Sequence, residues 1–445
     1  MTTQDTIAAI ATPPGSGGVG IIRLSGPAVP VIAGQVLNKA LQPRQAIFTA
    51  FLDVEQAILD HGIALYFPAP ASYTGEHVLE LQAHGSPVLL DMLLRRVIKL
   101  GARLAKPGEF TERAFLNHKI DLAQAEAVAD LIASSTEQSV RSAQKSMQGE
   151  FSAQINLLLA ELVKLRSFVE AAIDFTDEDI DFLSEGGVEE SLNALLQRIA
   201  LTQQTAQQGR LLRDGMTVVL VGKPNAGKSS LLNALAGHDA AIVTDIAGTT
   251  RDILRERIQL DGMPLHIIDT AGLRQTENVI EQEGIRRAKE EIKKADRILW
   301  LLDCRDTEED ETSHYFPSDI SLTKIYNKID LLNSKPKIQD SALGTALYLS
   351  IKTGDGMDLL KQHLKQCMGY QEQADNVFIA RRRHIEALNK AYEAVFNALK
   401  QLQIQAGELV AEDLRLAQLA LAEITGEFSS DDLLGEIFSS FCIGK

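Results

Sequence analysis

The sequence has 445 residues, of which 45% are hydrophobic and 23% charged, so we expect an ordinary folded protein with several domains. Its formal net charge of −16 argues against nucleic-acid binding over the whole surface, because phosphate attracts lysine and arginine. Three separated cysteines form no CxxC pair, which argues against disulfides and zinc. Without a signal-peptide pattern or a long apolar stretch, we expect a cytoplasmic protein with no membrane span.

The first segment, residues 1–118, mixes short strand-like runs with glycine and proline. The strand-like runs are Gly20–Leu24, Gly62–Tyr66 and Val78–Leu81, whereas Pro87–Lys99 carries apolar residues at helical spacing. These patterns predict a small α+β domain.

A helical pattern follows in residues 119–214 and returns in residues 371–445. Both segments are rich in Ala, Gln, Glu and Leu, with apolar residues at helical spacing. Between them, in residues 215–370, strand-like runs such as TVVLVG and RILWLLD alternate with helical patterns, which indicates a doubly wound, mostly parallel sheet. We therefore predict one discontinuous helical domain that is interrupted by an inserted α/β domain.

The inserted domain begins with a phosphate-binding motif. Gly222–Ser229 matches GxxxxGK[ST] between a strand and a helix, the context of a P-loop. Backbone N–H groups in such a loop surround phosphates, and the helix N-terminus adds partial positive charge. Lys228 is predicted to reach the β- and γ-phosphates, and Ser229 to bind Mg²⁺. The predicted phosphate-binding residues of this loop are Asn225, Ala226, Gly227, Lys228, Ser229 and Ser230.

Three further motifs follow strands in the order expected for a GTPase. Asp269, Thr270, Ala271 and Gly272 form a DTAG motif that can support Mg²⁺ and the γ-phosphate. In the NKID motif, which contains Asn327, Lys328 and Asp330, the last carboxylate can accept hydrogen bonds from guanine, whereas adenine lacks that donor pair. Ser350, Ile351 and Lys352 fall where a base-supporting loop is expected. The order and spacing resemble the Ras-like GTPases related to translation factors.

Two details bear on hydrolysis. Leu273 follows DTAG where Ras-type enzymes place a glutamine, so water positioning must come from elsewhere, and Glu281 is the candidate. Asn225 is either a structural residue or part of a cage for a monovalent cation, which would supply positive charge beside the phosphates. The switch segment that would complete the nucleotide site contains Thr244, Asp245, Ile246, Ala247, Gly248, Thr249 and Thr250.

The chain as a whole resembles the MnmE (TrmE) family of tRNA-modification GTPases. The resemblance rests on ATPPGSGGVGIIRLSG (residues 11–26), YTGEHVLELQAHG (73–85), PGEFTERAFLNHKIDLAQAEAVADLI (107–132), the P-loop and switch motifs, and the C-terminal CIGK. It implies an N-terminal tetrahydrofolate-binding and dimerisation domain (1–118), a helical domain (119–214 and 371–445) and an inserted Ras-like GTPase domain (215–370).

The resemblance also implies a function. Family members work with the flavoprotein MnmG (GidA), which carries the FAD, and install an aminomethyl or carboxymethylaminomethyl group at C5 of the wobble uridine of certain tRNAs. The one-carbon unit comes from a tetrahydrofolate derivative, 5-formyl or 5,10-methylene, and potassium-dependent dimerisation of the GTPase domains activates hydrolysis.

Site residues carry over from the family by position. Folate contacts correspond to Arg23, Glu80, Lys119 and Lys445, and magnesium ligands to Ser229 and Thr250. The potassium ligands correspond to Asn225 and to backbone oxygens of Thr244, Ile246 and Thr249. Glu281 corresponds to the acid that orients water when the alignment is anchored on Gly284 and Ile285, and the same segment also offers Glu277 and Glu283. Cys442 corresponds to the family's C-terminal cysteine, which is either inert or a reactive thiol.

Two other functions share some of these features. A ribosome-assembly GTPase would have the same nucleotide motifs but would need neither a folate-type domain nor CIGK. A one-carbon transferase that GTP merely regulates would not require a flavoprotein partner. Folate binding and partner dependence therefore separate the three hypotheses.

Overall fold

The computed structural model describes most of the chain, in two compact units. The described residues are 5–39, 41–174, 187–236, 255–260, 263–269, 295–306, 316–317, 320–341, 344–368, 378–427, 431–439, 441 and 444. The first unit comprises Met1–Ile132, Ser146–Leu196 and Lys390–Lys445, and the second comprises Ala133–Lys145 and Gln197–Asn389. Across these described ranges, none of the helices has the length and apolar character needed to cross a membrane.

The first unit contains a six-stranded sheet. Its strands are β1 (Thr6–Ile10), β2 (Gly17–Ser25), β3 (Ile47–Leu52), β4 (Ile58–Phe67), β5 (Val78–Gly85) and β6 (Ala102–Leu104), in the order β3-β4-β5-β2-β1-β6. Only the β1–β6 pair is parallel among these neighbours. The sheet confirms the predicted α+β character of the N-terminal segment.

Two helices complete the core of this sheet, and a third follows them in the chain. The three are α1 (Val29–Leu37), α2 (Pro87–Lys99) and α3 (Glu109–Leu116). Ile22 and Leu81 from the sheet pack in one buried cluster with Ile32 of α1 and Leu93 of α2. Alternate strand residues and one helix face meet here, as expected for a layered α+β core. The sequence analysis predicted only α2, because α1 and α3 are too short for a clear helical period.

Longer helices make up the predicted helical segments. They are α4 (Leu122–Ala133), α5 (Glu137–Met147), α6 (Glu150–Asp174), α7 (Val188–Asp214), and, near the C-terminus, α10 (Arg382–Gln403), α11 (Gly407–Thr425) and α12 (Asp431–Ser439). Within the first unit α6 packs against α11, where Arg166 donates a hydrogen bond of 2.7 Å to Gln418. In the same unit, Leu122 of α4 joins Ile437 and Phe438 of α12 in a buried cluster. Within the first unit, helices that precede the second sheet in the chain therefore pack against helices that follow it.

The second unit contains a seven-stranded sheet. Its strands are β7 (Met216–Gly222), β8 (Arg255–Leu260), β9 (Met263–Asp269), β10 (Arg297–Asp303), β11 (Ser321–Asn327), β12 (Lys337–Ser341) and β13 (Gly344–Tyr348), in the order β12-β13-β11-β10-β7-β9-β8. The five central strands are parallel and the two edge strands antiparallel, which confirms the predicted mostly parallel sheet. Two helices, α8 (Lys228–Ala236) and α9 (Met357–Cys367), pack on it through Leu231 and Leu360.

Gly215 links α7 to β7. Its φ of +73° is left-handed, and its N–H donates to the carbonyl of Leu211. An added Cβ would lie 2.7 Å from the carbonyl oxygen of Pro264, so a side chain cannot fit. The helix therefore ends at Asp214 and the chain turns directly into the sheet.

Candidate functional site

The P-loop connects the end of β7 to the start of α8. Asn225 is exposed with a left-handed φ of +65°, and the exposed side chains of Ser229 and Ser230 lie in the first turn of the helix. The ammonium group of Lys228 donates to the carbonyls of Gly222 (2.6 Å) and Lys223 (3.2 Å). A lysine and free hydroxyl-bearing residues at a helix N-terminus form a site suited to phosphate.

Asn327 joins this loop to the two segments that are predicted to hold the base. Its side chain is buried, and its Nδ2 donates to the carbonyl of Ala226 at 2.8 Å. Its Oδ1 accepts hydrogen bonds from the backbone N–H groups of Lys328 (2.8 Å) and Ile351 (3.1 Å). One amide therefore fixes three loops relative to one another, because its Nδ2 bonds to the P-loop and its Oδ1 bonds to the other two segments.

Gly227 allows the close approach that this arrangement needs. Its φ is +108°, and a Cβ there would lie 2.5 Å from Nδ2 of Asn327. The same Cβ would also lie 3.3 Å from the side chain of Ile351. Any larger residue would push the P-loop away from the NKID motif.

Asp330 is positioned by the loop after β13. The hydroxyl of Ser350, which is fully buried, donates to Oδ1 of Asp330 at 2.7 Å. That hydroxyl also accepts a hydrogen bond from the backbone of Thr353 at 3.3 Å, which fixes its own orientation. Lys352 is exposed beside this turn. The structure thus brings the predicted base-reading carboxylate and the S-x-K segment together.

The end of β10 carries polar residues that the sequence analysis missed. Asp303 pairs in register with Asn327, and its carboxylate accepts hydrogen bonds from Lys328 Nζ at 2.8 Å and from the guanidinium of Arg305 at 2.7 and 2.9 Å. The hydrogen bonds from Arg305, opposed by burial and aided by Lys328, hold the pKa of Asp303 well below its usual range. A signal was present, because a charged residue at the carboxyl end of a central parallel strand borders the ligand crevice of such sheets.

Part of the predicted nucleotide site falls outside the described residues. Asp269 ends β9, which pairs with β7, so its backbone lies at the same edge of the sheet as the P-loop. The predicted residues outside the described ranges are Thr244, Asp245, Ile246, Ala247, Gly248, Thr249, Thr250, Thr270, Ala271, Gly272 and Glu281.

A second candidate site is a cavity of about 360 Å³ in the first unit. The described residues that line it are Arg23, Phe67, Tyr73, Val78, Glu80, Val128, Ile132 and Met147. Arg23 on β2 and Glu80 on β5 face each other in register and form an ion pair at 2.9 Å, with side chains 25% and 17% exposed. An apolar cavity with one charged pair matches the usual composition of a small-molecule site.

Of the other predicted folate residues, the structure describes only Lys119. Lys119 is absent from the described lining of the cavity, and its ammonium donates to the carbonyl of Pro70 at 3.1 Å. Cys442 and Lys445 lie outside the described residues, but Gly444 between them accepts a hydrogen bond of 3.2 Å from Arg23. A Cβ at Gly444 would lie 2.5 Å from the carbonyl of Ile10, so the C-terminal segment contacts the sheet closely.

A buried ion network supports the loop that carries Tyr73. Arg113 on α3 is 2% exposed and binds the carboxylates of Asp5, Glu76 and Glu109. Burial opposes ionisation of Glu109, but hydrogen bonds from Arg103 and Arg113 keep its pKa below the ordinary value. Tyr73 in turn hydrogen-bonds Thr111 of the same helix at 3.0 Å, which ties α3 to the cavity wall.

Comparisons with known proteins agree on one family. The model for the MnmE helical domain matches residues 122–442, and the model for the GTP-binding protein TrmE N-terminus matches residues 6–119. The tRNA modification GTPases MnmE of Hydrogenovibrio crunogenus and Proteus mirabilis are 57% and 55% identical to this chain, and each alignment covers 100% of both chains. A structure of Aquifex aeolicus Era bound to GDP·AlF4⁻ is 24% identical and is aligned over 40% of this chain and 66% of that one, with a TM-score of 0.28.

Proposed function

Because the chain belongs to the MnmE family of tRNA modification GTPases, we propose that its GTP hydrolysis drives modification of the wobble uridine of certain tRNAs. The product carries an aminomethyl or carboxymethylaminomethyl group at C5. A flavoprotein of the MnmG (GidA) type is the partner and holds the FAD, and a tetrahydrofolate derivative is the source of the one-carbon unit. The observation that carries this proposal is the presence, in one chain, of a GTPase motif set and of a separate charged cavity.

GTP is the substrate of the P-loop unit. Lys228 would exchange its bonds to the carbonyls of Gly222 and Lys223 for oxygens of the β- and γ-phosphates. Ser229 would bind Mg²⁺ together with Thr250, and its exposure in the first turn of α8 fits that role. These contacts neutralise charge on the phosphates as the bond to the γ-phosphate breaks.

Guanine is selected by Asp330. Its carboxylate can accept hydrogen bonds from the N1–H and exocyclic amine of guanine, while Ser350 holds the carboxylate in place. Adenine offers no matching pair of donors, so an adenine nucleotide would leave a half-buried carboxylate without partners.

Potassium supplies further charge in the proposed hydrolysis step. Asn225 is exposed next to the phosphate site, and we propose that its side-chain oxygen binds K⁺ together with backbone oxygens of Thr244, Ile246 and Thr249. The ion would take the place of an arginine finger and favour association of two GTPase domains. Glu281 would orient the attacking water, because Leu273 cannot do so.

The potassium proposal has a direct test in steady-state hydrolysis. GTP turnover is compared in potassium and sodium buffers of equal ionic strength, for the wild type and for Asn225→Ala. Potassium should accelerate the wild type strongly, and the variant should lose that acceleration. Equal rates in both salts together with a silent Asn225→Ala would remove the cation from the mechanism and leave the GTPase activity intact.

The cavity of the first unit fits a reduced folate. The Glu80 carboxylate can accept hydrogen bonds from the N–H groups of a pterin, and the apolar side chains around it can cover the ring. Arg23 would hold the Glu80 carboxylate in place. The bound folate would supply the one-carbon unit. The contacts assigned to Lys119 and Lys445 remain predictions, as does a role for the thiol of Cys442.

The proposed domain arrangement follows the family. Residues 1–118 form the folate-binding and homodimerisation domain, residues 119–214 and 371–445 the helical domain, and residues 215–370 the GTPase domain. Because the nucleotide and folate residues then belong to different domains, GTP hydrolysis would act on the modification chemistry through a conformational change.

Reconstitution tests the function as a whole. The full chain, an MnmG-type flavoprotein, unmodified tRNA, GTP and 5,10-methylenetetrahydrofolate are combined with ammonium or glycine as the nitrogen donor, and nucleosides are identified by mass spectrometry. The proposal predicts a modified wobble uridine that disappears when folate is omitted or when Lys228→Ala replaces the wild type. Modification that is independent of both would overturn it.

A further inference from the structure

The carboxylate of Asp303 is largely buried, and the side chains of Arg305 and Lys328 donate hydrogen bonds to it. Its side chain is 11% exposed at the carboxyl end of the central strand β10. Besides the two bonds from the Arg305 guanidinium, it accepts the backbone N–H of Arg305 at 3.1 Å and the ammonium group of Lys328 at 2.8 Å. Since Arg305 is 54% exposed, the more enclosed contact of Asp303 is the one with Lys328, which is 28% exposed.

Lys328 itself has an unusual backbone. Its φ of +69° is left-handed, a backbone conformation that is unfavourable for a residue with a Cβ. Three contacts hold it there. Its N–H donates to Oδ1 of Asn327, its carbonyl accepts the thiol of Cys304 at 3.2 Å, and its ammonium binds Asp303. Two of these three partners are neighbours at the end of β10, so this strand end sets both the backbone and the side chain of Lys328.

The position of Lys328 connects this observation to the nucleotide. It lies between Asn327, which bonds to the P-loop, and the base-reading Asp330. An additional bond from the N–H of Cys304 to the carbonyl of Asn327 (3.0 Å) ties the same strand end to the same motif. Because the Asp303 carboxylate holds its ammonium group, the alkyl chain of Lys328 is kept in one orientation. An alkyl chain that is already ordered beside the base site loses less conformational entropy when the nucleotide binds.

We propose that Asp303 is a positioning residue for guanine-nucleotide binding, which acts by holding Lys328 in its bound orientation between the P-loop and Asp330. It does not touch the phosphates, so its effect falls on nucleotide affinity and residence time and leaves the rate of bond cleavage unchanged. Arg305 has the secondary role of keeping the carboxylate charged and oriented.

The test is a double-mutant cycle on GDP dissociation from the full-length protein, followed with a fluorescent GDP. Asp303→Asn should accelerate dissociation about tenfold, because a hydrogen bond between charged groups contributes about that factor. In a Lys328→Met background, Asp303→Asn should change the GDP dissociation rate by less than about twofold, because the ammonium group through which Asp303 acts is then absent. The turnover number at saturating GTP should stay within about twofold of the wild type for Asp303→Asn.

The matched control is Asp306→Asn. Asp306 lies three residues further on, is 48% exposed and approaches Lys223 only at 3.9 Å, so its replacement should leave GDP dissociation unchanged. Equal acceleration by Asp303→Asn with and without Lys328 would overturn the proposal, because the effect would then come from general loosening of the strand end. Unchanged dissociation in Asp303→Asn would overturn it as well. Neither outcome bears on the GTPase assignment, which wild-type GDP binding tests separately.

Discussion

The two candidate sites are built in opposite ways. In the GTPase unit the ligand residues lie in short contiguous motifs, and buried side chains such as Asn327 bind those motifs to one another. In the first unit the cavity takes Arg23 and Glu80 from two strands and Met147 from a distant helical segment, and Gly444 near the C-terminus binds Arg23. A phosphate site can be encoded locally because backbone N–H groups do most of the binding, whereas a shaped cavity requires tertiary assembly.

Lys228→Ala should have the largest effect and should be confined to the GTPase unit. Loss of the ammonium group that neutralises the phosphates should lower GTP turnover by about 100-fold or more. The measurement is phosphate release at saturating GTP, with the exposed Lys335→Ala as a charge-matched control that should retain activity. Folate binding should be unchanged, and a parallel loss of folate binding would contradict the separation of the two sites.

Asp330→Asn should change which base is bound. Removing the negative charge should weaken GTP binding by about 100-fold, because both guanine donors lose a charged acceptor. The affinity for xanthine nucleotides should increase, since an amide can both accept a hydrogen bond from N1–H and donate one to the 2-oxo group. Competition between GTP and xanthosine triphosphate measures the change. If guanine preference persists, Asp330 does not read the base.

Arg23→Ala should act only on the cavity. It leaves the Glu80 carboxylate, 17% exposed, without its ion-pair partner and should lower affinity for a reduced folate about tenfold. Equilibrium dialysis with 5-formyltetrahydrofolate gives the affinity. The control is Arg95→Ala, which removes a 73% exposed arginine from a helix-surface pair and should have no effect. Equal losses in both variants would place the folate elsewhere.

As the pH is lowered, the GTPase unit should lose stability before the first unit does. This is the smallest effect among these predictions. His363 is buried against Thr323, at 2.9 Å, and burial together with the charge of Arg297 lowers its pKa below 6.5. The unfolded chain therefore binds a proton that the folded state does not, and the free energy of unfolding falls as the pH drops below about 6.5. The pKa of Glu109 is also lowered, but for a carboxyl group this means that the folded state favours the charged form, so its stabilisation is lost only as the pH falls below about 4.5.

Urea unfolding at pH 7.5 and 5.5 measures this difference. The chain has one tryptophan, Trp300, and it lies in β10, so its fluorescence reports on the GTPase unit alone. His363→Gln should remove the loss of stability between the two pH values. An unchanged pH dependence in that variant would assign the proton to another group.

Local chemistry explains what could be predicted from sequence. The strand and helix on either side of the P-loop and the strand before the NKID motif lie where they were predicted, because each motif depends on a few adjacent residues with specific backbone chemistry. The edge strand β12 was missed, since Lys337–Ser341 is mostly polar and forms a strand only by pairing with β13. The helices α1 and α3 were missed because nine and eight residues give too short a period.

Long-range contacts account for what was missed in the sites. The role of Asp303 depends on a neighbouring strand that contributes Lys328, and no spacing in the sequence links the two. Arg23 and Glu80 were identified only through the resemblance to the family. The family models and the relatives confirm that the chain belongs to this family. Val128 of α4 and Met147 of α5 also line the cavity, and the arrangement of these helices could not be predicted from the sequence.

We propose that the nucleotide site and the cavity, two separate sites in one chain, serve one reaction. A single reconstituted reaction tests this directly. Phosphate release and the modified wobble uridine are measured together for the wild type and for Arg23→Ala at a subsaturating folate concentration, with the flavoprotein and tRNA present. We expect the variant to keep GTP hydrolysis near the wild-type rate and to lose most of the modified nucleoside. Full modification by Arg23→Ala would show that the cavity does not hold the one-carbon donor and that the two sites do not serve one reaction.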